Sequence, residues 1–225
     1  MGRILFVLLI LLGWSGHAFA AAESSDPHAF VTAFIRNIGE VEDLRVQAEK
    51  DLAAAGKDWG PTMLSTSTRF ATALRAQAEV MNTFHLPPPT GGAPQKFATL
   101  LQQKAALFET YVAMADALSG TPRMDVFYEK LAGQPLDLRA MIENADETLM
   151  KATPIVFGTL VSANPDSEGY VSRLNITTAQ RAQLVHDLDV AFGEKLKAKN
   201  QNRIVLAAAM LKDHLSLPLK CSDEP

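Results

Sequence analysis

This chain of 225 residues is poor in cysteine: Cys221 stands alone. A single thiol excludes any intramolecular disulfide, so ordinary packing has to hold the fold. Strand-forming aromatics are scarce too, with three Tyr and two Trp. No stretch alternates apolar and polar residues convincingly over strand length. Charge of one sign is also missing. The chain has 21 basic and 25 acidic residues, a formal net charge of −4. Nucleic-acid binding needs a basic face to neutralise phosphates, so a nucleic-acid partner is not expected. The one dense basic stretch, Lys195, Lys197, Lys199 and Arg203, reads as the solvated end of a helix.

Catalytic signatures are absent as well. There is no C-x-x-C-H for covalent haem, no H-E-x-x-H for zinc, no P-loop and no G-x-G-x-x-G. No G-x-S-x-G nucleophile elbow occurs, and no Glu-x-x-His pair for a di-iron bundle. These gaps remove the readily recognised enzymes and leave the others open.

What is present begins at the N-terminus. Arg3 is the only charge before Glu23, positions 4–12 are unbroken apolar sequence, and Ala18-Phe19-Ala20 follows. A basic start, a short apolar core and an A-x-A site make residues 1–20 a secretory signal peptide, cleaved after Ala20. The apolar run falls short of the roughly 20 residues a membrane-spanning helix needs. No later segment is apolar enough to span, so a soluble periplasmic or secreted protein is expected, with no membrane span after cleavage. In such a compartment an odd cysteine suggests either a homodimer linked through Cys221 or an incidental, exposed free thiol. Cys221 lies beyond Pro218 in what reads as a loose tail ending in the acidic 222–225 segment.

From residue 27 onward the apolar periodicity is helical. Asp26-Pro27 is a helix start, pairing a capping side chain with a proline at the first position. Val31, Phe34, Ile38 and Val41 then recur at threes and fours, and Gly56 ends that helix. A second helix carries Phe70, Leu74, Ala78, Met81 and Phe84 and stops before the prolines at 87–89. The Pro/Gly segment 86–94 is the clearest linker. Beyond it, helices are expected over 95–217. One carries a near-heptad stripe of Phe97, Leu101, Phe108, Tyr111, Ala115 and Leu118; a short one runs from Thr121-Pro122 to Gly133. Another begins at Pro135, and a fresh start falls at Thr153-Pro154. Residues 163–169 read as a surface loop. Thr177 and Gln180 form a T-x-x-Q capping box, opening a helix that Asn200 ends. The expected fold is all-α, a bundle of six to eight helices with four long amphipathic ones. It forms a single helical domain over 21–225, whose leading hairpin 27–85 is joined by the 86–94 linker to the rest.

Few residues carry chemistry. His186 sits at the edge of an apolar stripe, where imidazole can move a proton or ligate a metal. Glu143, Asp146 and Glu147 share one helix face and could hold a hard cation, though a solvated acidic face is the commoner outcome. The methionines are scattered and suit core filling more than copper binding. No cofactor is called for. Two functions compete: a non-catalytic partner-binding, assembly or inhibitor protein of the cell envelope, and a carrier of a small molecule, metal or haem (or an enzyme) with its site inside the bundle. Missing motifs favour the first, with a protein partner.

Overall fold

The first helix begins where its cap is. Asp26 accepts a 2.9 Å hydrogen bond from the His28 backbone N–H, Pro27 takes the first position, and α1 runs Pro27–Ala55. A computed structural model describes residues 24–56, 59–117, 138–166 and 169–225. The signal peptide at 1–20 and the Thr121–Gly133 helix expected above lie outside the described residues. Helix α2 spans Trp59–Asn82, α3 Ala93–Ala117 and α4 Leu138–Gly158. Strands β1 (Val161–Asp166) and β2 (Gly169–Leu174) follow. Helix α5 spans Thr178–Phe192, a 3-10 turn covers Gly193–Lys197, and α6 spans Arg203–Leu215. Six helices and one two-stranded antiparallel sheet make the described residues an all-α bundle. No helix among them is long and apolar enough to cross a membrane.

The helices close a circuit. α1 packs on α2, α2 on α3, α3 on α4, α4 on α6, and α6 returns to α1, while α5 backs α1. One contiguous apolar cluster fills the circuit, running from Phe30 and Phe34 through Leu74, Phe97 and Leu160 to Phe192 and Leu211. Phe34 meets Phe97 at 4.9 Å between ring centres, joining the leading hairpin to α3 across the linker. Burying each such side chain contributes about 1.5–3 kcal/mol. The hairpin therefore packs on the remainder. Leu86 and Ala93 are buried at the two ends of the linker, and only Pro87, Pro88, Pro89 and Gly92 within it are well exposed. α1 and α5 approach closely at Gly39, where an added Cβ would lie 3.2 Å from the Ala191 Cβ.

Several sequence expectations need correction. Of the expected 163–169 loop, residues 163–166 and 169 are strand: they belong to the paired β1 and β2, with Val161 opposite Leu174 and Asp166 opposite Gly169. Strand β2 buries only Leu174, so no alternating apolar face betrays it. Thr153-Pro154 starts no new helix. α4 continues through Pro154, held by the buried Leu149, Val156 and Phe157 on either side of it. The helix opened at Thr177 stops at Gly193, whose φ of 49° suits glycine, and not at Asn200. Nor is the tail loose. The Leu174 N–H donates to the Lys220 carbonyl at 2.9 Å, and the Ser222 N–H to the Ile176 carbonyl at 3.0 Å.

The capping box forms as expected. Gln180 N–H donates to Thr177 Oγ1 at 3.2 Å, and Thr177 N–H to Gln180 Oε1 at 2.9 Å. Thr177→Ala should cost about 1 kcal/mol by removing this cap. An unchanged urea midpoint would show that the cap contributes nothing.

Candidate functional site

Among the described side chains, those proposed from sequence lie apart or are paired with neighbours. His186 is exposed on α5. The side chain of Glu143 lies outside the described residues. Asp146 forms an ion pair with Lys104 of α3, a side chain that is itself buried. Glu147 pairs with Lys151 at 2.7 Å, and that hydrogen bond and charge hold its carboxyl below the usual range. Lysine side chains thus answer the described part of the acidic face. Among the described residues no cluster of three His, Cys, Asp or Glu could hold a metal ion.

Cys221 is free and 0 % exposed. Arg181 fixes the chain around it, donating to the carbonyls of Leu215 at 2.6 Å, Leu217 at 2.5 Å and Leu219 at 2.8 Å. Asp223 closes the start of α5, accepting from Thr178 N–H at 2.8 Å and its hydroxyl at 3.0 Å. Those Thr178 bonds hold the Asp223 carboxyl below its ordinary range. An intermolecular disulfide at Cys221 would first need this tail to lift away.

The feature that stands out lies between α1 and α2. Two adjoining hollows of about 210 and 450 Å³ share Glu40, Ala73 and Gln77 as lining. Together they form a groove from Ala33, Val80 and Met81 at one end to Leu44 and Gln47 at the other. Its origin is side-chain size. Ala33 on α1 and Ala73 and Ala76 on α2 line the groove, and single methyl groups fill little of the space there.

Of the three carboxamides that line this groove, two are buried, Asn37 and Gln77. Asn37 is 2 % exposed, and neither Oδ1 nor Nδ2 has a hydrogen-bond partner. Gln77 is 7 % exposed; its Nε2 donates to Glu40 Oε2 at 2.9 Å, while Oε1 has no partner. A buried polar group left unpaired costs about 1–3 kcal/mol. His28 Nε2 is the remaining unpartnered atom of this kind among the described residues, and it lies outside the groove. Arg36, Glu40 and Asp43 edge the groove from α1, and Arg36 and Glu40 form a loose ion pair at 3.9 Å.

Sequence reasoning passed over both amides, although a signal was present. Asn37 falls three residues after Phe34 and four before Val41; Gln77 falls three after Leu74 and four before Met81. Each is a polar residue seated within an apolar stripe at helical spacing. Burying an amide at such a position needs partners; Asn37 has none, and Gln77 has one for its Nε2 alone.

The neighbouring Glu42 provides the contrast. It is 1 % exposed, yet fully answered: Arg45 donates to both of its oxygens at 2.8 Å and Asn202 at 3.0 Å, with Lys195 at 3.7 Å. Burial pushes its carboxyl up, but these hydrogen bonds and charges outweigh that and hold it below the usual range. The network ties α1 to the start of α6 and to the 3-10 turn.

No protein-family model, curated protein or solved structure matches this chain.

Proposed function

We propose that the chain is a non-catalytic partner-binding protein of the cell envelope, carried to the periplasm or beyond by its 1–20 segment, and that the α1–α2 groove is its docking surface. The observation that carries this reading is the Asn37 carboxamide, buried on the groove lining with donor and acceptor both unanswered. In a helix–helix seam an apolar residue would serve packing better there. An amide is useful where something else completes its hydrogen bonds. Docking into a groove between helices is a recurrent way for proteins to hold a partner segment.

The test places a photo-crosslinking residue at Ala76, exposed on the α2 wall of the groove, or at Glu79, exposed on the same helix outside it. Each variant is expressed in its own envelope. A discrete adduct at Ala76, absent at Glu79 and lost when Ala73→Arg fills the groove, is the expected result. Equal labelling at both positions, or none at Ala76, would reject the groove as a docking surface.

A further inference from the structure

The chemistry of the groove also says what its occupant presents. We infer that the groove binds an extended peptide segment, with a main-chain amide of that segment paired to the Asn37 carboxamide and a basic side chain beside Glu40 and Asp43. This rests on reading the groove as a docking surface.

The free atoms come first. Asn37 leaves one donor, Nδ2, and one acceptor, Oδ1; Gln77 adds a second acceptor, Oε1. A carboxylate has no donor for those two acceptors, and a hydrogen phosphate brings its O–H only with negative charge set beside Glu40 and Asp43, so simple anions are poor occupants. A peptide unit carries an N–H and a C=O, the same complement a carboxamide offers in reverse.

The form of the segment follows. A helical occupant consumes its own main-chain N–H and C=O groups internally. An extended one leaves them free for a partner. Length agrees with this. From Ala33 to Gln47 along α1 is about 21 Å at 1.5 Å per residue. That length suits about six extended residues.

Charge supplies the rest. The α2 wall, Ala73, Ala76, Gln77 and Val80, carries none, while the α1 wall sets two carboxylates, Glu40 and Asp43, against Arg36; Lys195 also comes within 3.9 Å of Asp43, whose side chain stays 76 % exposed. A cation on the occupant meets the carboxylate end. The unpartnered amide atoms are closed to water in the free chain. The segment reaches them by displacing the Arg36–Glu40 pair and parting the alanine-lined seam.

The test is a titration of the 15N-labelled chain with the capped hexapeptide acetyl-Ala-Lys-Ala-Ala-Ala-Ala-amide, reading the Asn37 side-chain NH2 and Ala76 backbone signals. Parallel titrations use the same peptide methylated at alternate main-chain nitrogens, the peptide with Glu for Lys, and inorganic phosphate. Saturable shifts at Asn37 with the parent peptide are expected. Affinity should fall about tenfold on N-methylation, the loss of one well-made hydrogen bond, and severalfold with Glu for Lys. Asn37→Leu, folded by its spectrum, should lose the Ala76 response to a similar degree.

Equal binding of parent and methylated peptides would overturn the inference, as would a response to phosphate or silence at Asn37 with every peptide. If the Ala76 crosslink persists in those cases, the docking reading stands and only the extended segment falls. If the crosslink fails as well, both fall together.

Discussion

Arg45→Met should destabilise this protein by about 3 kcal/mol, the low end of what breaking a buried ion pair costs. The reason is what it leaves behind. Glu42 is 1 % exposed, and Arg45 supplies two of its hydrogen bonds, at 2.8 Å each. Without the guanidinium, the carboxylate keeps Asn202 at 3.0 Å and Lys195 at 3.7 Å, which places the cost at the low end. The pH dependence carries a distinct sign. Glu42 is held below its ordinary value of 4.5, so the unfolded chain takes up its proton first on acidification. Its contribution is complete above that ordinary value and is lost as pH falls through the folded value. In Arg45→Met the opposing effect of burial gains weight, so acidification should cost less stability than in the parent. Urea midpoints for both chains at neutral and mildly acidic pH decide this. A neutral-pH loss under about 1 kcal/mol would place the pair among surface ion pairs.

Asn37→Leu should act in the opposite direction and raise stability by about 1–2 kcal/mol. The substitution removes a donor and an acceptor that are both buried and unbonded, and with them their desolvation cost. Leucine is also the better helix former. A raised thermal midpoint together with a lost Ala76 crosslink would show stability and docking opposed at a single residue. A lowered midpoint would mean that the Asn37 carboxamide is satisfied in solution.

How legible was all this beforehand? The helix starts at Asp26-Pro27 and Thr177 were readable, because capping is local chemistry over three or four residues. The all-α class was readable because apolar residues at threes and fours recur across α1, α2 and α3. The hairpin was not, since β2 turns nearly all its side chains to solvent; Tyr170 is 82 % exposed. The ordered tail was not, since Arg181 grips carbonyls from Leu215 to Leu219, more than thirty positions along the chain. The groove stayed hidden for a third reason. Alanines from two helices line it, and one sequence does not say which alanines share a hollow.

The strap over Cys221 has one more consequence. Its anchors come from three separate places: Leu174 ends the hairpin, Ile176 precedes α5, and Arg181 lies within it. With all three in position the thiol is 0 % exposed, so its concealment accompanies assembly of the C-terminal half. Cys221 should thus act as a sentinel written into the chain, silent toward thiol reagents while the fold is whole and modified once those anchors open.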